Sequence, residues 1–349
     1  MSVNVAVVGA TGAVGREFIK VLEQRNFPFT NIKFLASKRS AGSQIQFKGK
    51  SYTVEELTEK SFAGIDIGLF SAGGSISKQY APAAVKAGTI VVDNSSAFRM
   101  DPKVPLVVPE VNPEDIEKHQ GIIANPNCST IIMVVPVWPL HKVNKIKRLV
   151  VSTYQAASGA GWKAMEELRN QTAAVLAGKE AKPEVLPHKY AFNLFSHNSK
   201  IGPDGYNEEE SKMVSETRKM FHDPDIMVSP TCVRVPVLRA HSESINITFS
   251  EPMTEAKVKE ILATAPGVKI VDDREKNYFP MPLDASDQGD VFVGRIRMDI
   301  SQPDGRGINL FVSGDQLLKG AALNAVQIAE LLPMVKGKSK KCSCGCSCR

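Results

Sequence analysis

Residues Val3 to Val8 form a mostly apolar run that leads directly into Gly9-Ala10-Thr11-Gly12-Ala13-Val14-Gly15. A short run of that kind, bounded by glycine, reads as a buried strand. The glycine turn opens Arg16–Gln24, where Phe18, Ile19, Val21 and Leu22 recur at helical spacing. Strand, tight turn and helix in succession constrain this chain more than any other feature. Such a unit needs a parallel partner strand and implies a βαβ sheet. The glycines let the backbone approach a pyrophosphate, and the helix start offers free N–H groups and a positive dipole end. The spacing is G-x-x-G-x-x-G rather than G-x-G-x-x-G, so the strand–turn–helix context carries the argument. A glycine turn without a ligand is the alternative.

The same alternation continues through the first third. Asn31–Ala36, Asp66–Ser71 and Thr89–Asp93 read as strands, with a helix over Ser77–Ala87. This predicts an N-terminal Rossmann-like parallel-sheet domain over residues 1–127. Beyond it the pattern changes. A strand at Arg148–Gln155 and a helix at Trp162–Ala177 precede an irregular stretch, 178–205, rich in Pro, Lys, Gly and Asn. A charged helix follows at Glu208–Phe221. Val233–Leu238, Ser244–Ser250, Asp290–Asp299 and Gly307–Val312 supply β-runs, with a helix near Glu255–Thr264. Residues 128–314 are therefore expected to form an α+β domain with a mostly antiparallel sheet. The final helix, Gln316–Leu332, is apolar on one face, so 315–333 is expected to rejoin the first domain. The class is α/β, and 349 residues suffice for two domains.

Charge and cysteine usage exclude several functions. Lys336, Lys338, Lys340, Lys341 and Arg349 carry five of the net +6, leaving the body at about +1. A body so balanced has no electrostatic footprint for nucleic acid. No segment approaches the roughly 18 consecutive apolar residues of a membrane helix. The N-terminus lacks a basic n-region and cleavage site, so no signal peptide is expected and a soluble cytoplasmic protein is the default. Four of six cysteines lie in the tail as Cys342, Cys344, Cys346 and Cys348. Their C-x-C spacing is tighter than structural zinc sites use, so no metal is assigned and 334–349 is expected to be a disordered tail. The two body cysteines, Cys128 and Cys232, do not make a disulfide framework.

The loop after the second strand reads Leu35-Ala36-Ser37-Lys38-Arg39-Ser40-Ala41-Gly42. It has no acid to hold a ribose 2′-hydroxyl, but Arg39 between hydroxyls suits a 2′-phosphate. This favours NADP over NAD, a solvated basic loop being the alternative. Asn125-Pro126-Asn127-Cys128-Ser129-Thr130 forms a turn followed by a helix start, where a thiolate is stabilised by the dipole and free N–H groups. A lone cysteine is more often an inert small hydrophobe, so Cys128 needs partners. His241 follows Arg234 by seven residues across a short β-run. A histidine can exchange protons with a thiol and a developing alkoxide. An arginine can hold a carboxylate through two parallel hydrogen bonds. Arg99 is a second isolated arginine at the end of a sheet strand, where ligands bind in open α/β sheets.

Together these residues resemble the aspartate-semialdehyde dehydrogenase family over residues 1 to about 333. Val228 to Ser242 is similar to the family's segment around its catalytic histidine, and Asn127-Cys128-Ser129-Thr130 to its nucleophile loop. Ala240 departs, standing where Gly, Ser or Cys is usual. The resemblance implies that Cys128 is the acyl-thioester nucleophile and His241 the acid/base, with Gln155 orienting the substrate. Asn127 falls in the same substrate site. Arg234 would bind the α-carboxylate, Glu209 the amino group, and Lys212 with Arg99 the phosphate. Without the resemblance, Glu209 and Lys212 would read as a solvated helix face. Gly9, Thr11, Gly12, Ala13, Val14, Arg39, Ser40, Ser158, Gly159 and Gln316 would contact NADP. The implied reaction is NADPH-dependent conversion of L-aspartyl 4-phosphate to L-aspartate 4-semialdehyde and inorganic phosphate. It serves lysine (through diaminopimelate), threonine and methionine biosynthesis, in a homodimer. An N-acetyl-glutamyl-phosphate reductase would run the same chemistry but has no use for an acid facing a free ammonium, so Glu209 discriminates. A non-catalytic Rossmann binding protein would be expected to lack Cys128 or His241.

Overall fold

The computed structural model describes residues 3–335. The Lys- and Cys-rich tail from residue 336 lies outside the described residues. The chain forms two units. The first runs through Pro109, takes in Pro113–Asn125 and resumes from Ala322; the second comprises Glu110–Asn112 and Pro126–Ala321.

In the first unit β1 (Asn4–Val8) leads into α1 (Ala13–Gln24), followed by β2 (Asn31–Ala36). A hairpin of β3 (Gln44–Phe47) and β4 (Lys50–Thr53) and a short β5 (Glu55–Glu56) come next. Then follow β6 (Ile67–Phe70), α2 (Gly74–Lys86), β7 (Ile90–Asp93) and β8 (Ile122–Ala124). Six strands form one parallel sheet in the order β5-β2-β1-β6-β7-β8. Its central strands β1, β6 and β7 are largely apolar and buried, as strands covered on both faces are. Ala6, Val8, Leu35, Phe70 and Val91 pack with Phe62, Ala81 and Ala84 in one cluster. The C-terminal helix Leu323–Leu331 packs on α1, and Arg25 grips Glu330 through two 2.7 Å hydrogen bonds. The sequence predicted that helix from Gln316. Instead Leu318–Ala322 is a π-type turn and the regular helix begins at Leu323.

The strand order reverses at β1, with β2 on one side and β6 on the other. The carboxyl end of β1 is therefore the topological switch point of an open α/β sheet, where ligands bind. Gly9 sits there with φ +83°, and any side chain on it would collide with the Ser71 carbonyl. The turn is tied to β2, because the N–H groups of Gly9 and Ala10 both donate to the Leu35 carbonyl.

The second unit begins with α3 (Cys128–Val143), β9 (Ile146–Gln155) and α4 (Trp162–Leu176). It continues with β10 (Phe195–Ser196), α5 (Glu208–Phe221), β11 (Met227–Arg234), β12 (His241–Phe249) and α6 (Glu255–Ala263). It closes with β13 (Val268–Ile270), β14 (Val291–Met298) and β15 (Gly307–Gly314). One sheet has the order β10-β11-β9-β12-β15-β14-β13. It is mixed but mostly antiparallel, with parallel pairing only at β11–β9 and β13–β14. The β-run expected at Val233–Leu238 ends at Arg234 instead. Pro236 has no N–H to continue a ladder, and the Val237 and Leu238 carbonyls turn to accept from Ala157 and Ser158. Among the described residues no helix is long and apolar enough to cross a membrane.

Candidate active site

Five chain segments of the second unit converge. Cys128 is the first residue of α3, and Asn127 caps that helix, its side-chain oxygen accepting from the N–H groups of Ser129 (3.0 Å) and Thr130 (3.2 Å). An asparagine cap of this type is worth about 1 kcal/mol to the helix. Here it also fixes the start of the turn carrying the thiol. The Asn127 N–H donates to Glu216 at 2.6 Å, and its side-chain amide donates to Glu209 at 2.9 Å.

His241 opens β12, is fully buried, and lies with Nε2 3.6 Å from the Cys128 sulfur. The N–H of Ala156, the residue after β9, donates to His241 Nδ1 at 3.0 Å. A backbone amide can only donate, so Nδ1 carries no proton and the neutral ring holds its proton on Nε2, facing the sulfur. Burial, then the charge of Arg234, pushes the His241 pKa down to about 3, so the ring is neutral at physiological pH. The group beside the thiol is thus a hydrogen-bond donor. Gly159 closes over it: a methyl group there would stand 3.0 Å from His241 Nε2 and 3.2 Å from Arg234 Nη1.

Arg234 ends β11, beside Gln155 at the end of the parallel strand β9. It is buried, with Nη1 on the Ala156 carbonyl (3.3 Å) and Nη2 on His197 Nε2 (2.9 Å). Its Nε has no hydrogen-bond partner among the described residues. A buried donor left so is costly unless an acceptor arrives. Glu209 and Lys212 lie on the first turns of α5, whose own cap is a reciprocal Asn207/Glu210 box. Glu209 accepts from Asn127, from Gln155 (3.1 Å) and from Lys212 (3.1 Å). Burial pushes its pKa up, but Lys212, His197 and the Asn127 hydrogen bond outweigh that and bring it down to about 2. A solvated helix face is therefore the wrong reading of Glu209, which is 5% exposed.

The structure thus gathers Asn127, Cys128, Gln155, Gly159, Glu209, Lys212, Arg234 and His241 into one network. The Gln316 side-chain amide donates to the Ser158 hydroxyl, and its side-chain oxygen accepts from Ala240 N–H at 3.0 Å. Gly9, Thr11, Gly12, Ala13 and Val14 lie in the first unit, around the switch point of its sheet. Arg39 and Ser40 follow the adjacent strand β2, and Arg39 is exposed. Arg99 also belongs to the first unit, 8% exposed, with hydrogen bonds to the carbonyls of Asn94 (2.8 Å) and Asn125 (2.9 Å).

Family models match both parts of the chain: semialdehyde dehydrogenase, NAD binding domain, over residues 4–119, and semialdehyde dehydrogenase, dimerisation domain, over 137–319. An aspartate-semialdehyde dehydrogenase of Synechocystis is 57% identical over 95% of this chain and 97% of its own length. The chain belongs to the aspartate-semialdehyde dehydrogenase family. One of Aquifex aeolicus is 56% identical, covering 95% of this chain and 98% of its own. The solved aspartate semialdehyde dehydrogenase II of Vibrio cholerae, complexed with ASA, superposes with a TM-score of 0.92. It is 45% identical and covers 95% of this chain and 98% of its own. Membership of the aspartate-semialdehyde dehydrogenase family makes the chain an enzyme and disfavours the N-acetyl-glutamyl-phosphate and non-catalytic alternatives.

Two contributors to the site, Ala156 and His197, were not signalled by the sequence. Ala156 acts through its backbone, which no side chain signals. His197 lies in the irregular stretch 178–205. Ala240, where Gly, Ser or Cys is usual, has φ +68°, in the left-handed region that favours glycine.

Proposed function

We propose that this chain catalyses the NADPH-dependent reductive dephosphorylation of L-aspartyl 4-phosphate to L-aspartate 4-semialdehyde, reversibly, through a thioester on Cys128. The observation that carries the reading is the helix-terminal Cys128 sulfur 3.6 Å from His241 Nε2, in the same network as a buried arginine and a buried carboxylate.

The residues suit each part of such a substrate. Arg234, with an unpartnered Nε, takes the α-carboxylate. Glu209, ionised at neutral pH, takes the ammonium. Gln155 bridges to Glu209 and orients the reacting carbonyl, while Asn127 holds the turn. Lys212 and Arg99 supply charge for the phosphate. The Cys128 thiolate attacks the acyl phosphate and expels inorganic phosphate, leaving the thioester. NADPH, when bound, supplies the hydride. The Nε2–H of His241 hydrogen-bonds to the oxyanion of the resulting tetrahedral adduct, and collapse to the aldehyde returns the thiolate with no net proton consumed.

For the cofactor, the Gly9 cradle and the helix start behind it suit a pyrophosphate. Thr11, Gly12, Ala13 and Val14 would line it, with Arg39 and Ser40 toward the 2′-phosphate and Ser158, Gly159 and Gln316 as further contacts. The match to a dimerisation domain supports a homodimer. The substrate chemistry supports a place in lysine, threonine and methionine biosynthesis.

The deciding experiment is phosphate- or arsenate-dependent reduction of NADP with aspartate semialdehyde, run beside Cys128→Ser. Wild type should turn over and the variant should not. Silence from both, or equal rates, would sink the reading.

A further inference from the structure

His197 is a half-buried titratable group to which the reaction above gives no task. Its backbone N–H is pinned to the Cys232 carbonyl at 2.8 Å, which hangs it beside the end of β11. Its Nε2 lies 2.9 Å from Arg234 Nη2. Its Nδ1 lies 3.1 Å from the Ser199 hydroxyl, which in turn accepts the backbone N–H of Glu209 at 3.2 Å and donates to Asn207 at 3.4 Å. His197 therefore stands between the arginine and the carboxylate that would read the two charges of an amino-acid head group.

The hydrogen bonds dictate its state. A guanidinium can only donate, so Nε2 must accept and be bare. The ring proton then sits on Nδ1, directed at Ser199, whose hydroxyl passes its own proton on to Asn207. The Ser199 N–H also approaches Nδ1, at 3.3 Å, but the shorter, charge-assisted Arg234 contact decides the tautomer. A neutral ring here fixes Arg234 without opposing its charge. A protonated ring would lose the bond and repel the guanidinium.

We infer that His197 is a positioning residue for substrate recognition: it holds the Arg234 guanidinium in register with Glu209, so that the pair grips a carboxylate and an ammonium on one carbon. This rests on the substrate reading above and adds a residue to it. Glu209 is already held by Asn127, Gln155 and Lys212, so Arg234 is the side chain that His197 steadies. Arginine has a long stem, and among the described residues Arg234 has only one other hydrogen bond beyond this one, to the Ala156 carbonyl. Removing His197 leaves the charge in place and takes away its direction.

The test compares wild type, His197→Ala and His197→Gln with aspartate semialdehyde. Glutamine places an amide oxygen where Nε2 accepts, so it should restore the Arg234 bond. His197→Ala should raise KM for aspartate semialdehyde about tenfold, the scale of one hydrogen bond to a charged group. It should leave KM for NADP, and the rate at which neutral iodoacetamide alkylates Cys128, near wild type. His197→Gln should recover most of the loss. An unchanged KM for aspartate semialdehyde in His197→Ala overturns the assignment. So does a parallel loss in all three measurements, which marks a merely structural residue, or a failure of glutamine to rescue. Wild type inactive on aspartate semialdehyde would instead overturn the substrate reading itself, and this assignment with it.

Discussion

The backbone N–H of Ala156 donates to His241 Nδ1 at 3.0 Å, and the carbonyl of the same residue accepts from Arg234. One residue's main chain thus sets the ring tautomer and steadies the carboxylate binder. The expected consequence is spectroscopic. In protein labelled with nitrogen-15 histidine, His241 should show a bare Nδ1 and a protonated Nε2 between pH 5 and 8. An imidazolium signature in that range, or the opposite tautomer, would contradict the hydrogen-bond argument and return His241 to the role of base toward the thiol.

Stability should fall as the solution is acidified below about pH 6.5, the ordinary histidine value. In the folded state His241 takes up its proton only at about 3, through burial and then Arg234, and His197 at about 4, through burial. Between those values and 6.5 the unfolded chain binds more protons, so unfolding gains on folding as pH drops. Urea midpoints at pH 7.5 and 5 should therefore differ less in His241→Asn than in wild type. Equal differences would mean that His241 is already charged in the folded protein.

Ala240 immediately precedes His241, with φ +68° and full burial against Ala285 and Phe292. The left-handed conformation costs a residue with a Cβ about 1–2 kcal/mol, while the buried methyl is worth about 0.8 kcal/mol. The two nearly cancel, so Ala240→Gly should lie within about 1 kcal/mol of wild type. Ala240→Val places a β-branched residue in a region such residues avoid. It should lose about 2 kcal/mol or more, and activity with it, because the twist at 240 aims His241. Thermal melts of both variants decide the matter. A stable, active valine variant would mean that φ at 240 is not what orients the histidine.

Where the site was legible, side-chain identity and local pattern coincided. Gly9 follows a strand, Cys128 follows an asparagine cap, and Arg234 and His241 flank a short linker. Where it was not, the information lay in the backbone or in long-range packing. Ala156 contributes an N–H that every residue but proline has. His197 is placed by its hydrogen bond to the Cys232 carbonyl, a contact 35 residues away that composition in 178–205 does not encode. The β-run through Val233–Leu238 misled because its apolar residues follow a period that Pro236 and the turn to Ala157 override.

Arg39 ends on the exposed side of the loop after β2, next to the switch point at β1. If it reads the ribose 2′-phosphate, Arg39→Ala should raise KM for NADP by about tenfold or more, one charged hydrogen bond or two. KM for NAD should hardly move. Steady-state kinetics with both cofactors provide the check. An equal rise in both would assign Arg39 to a phosphate common to the two, or to no contact at all.

Gly159 lies close to both His241 and Arg234: a methyl there would meet His241 Cε1 and Nε2 at 3.0 Å and Arg234 Nη1 at 3.2 Å. That is tighter than ordinary contact, so the ring or the guanidinium must give by a few tenths of an ångström. The thiol–imidazole distance is 3.6 Å, within reach of a hydrogen bond to sulfur. A displacement there acts directly on the hydrogen bond His241 offers the reacting atoms, and misplacements of about 1 Å cost roughly 10²-fold. Gly159→Ala should therefore lower kcat by about 10-fold to 10²-fold with little change in thermal midpoint, since Gly159 is not in the left-handed region. The discriminating measurement is the pair of kcat and melting temperature in one preparation. A large drop in melting temperature, or an unchanged kcat, would show that the loop relaxes away from His241 and that glycine is there for folding alone.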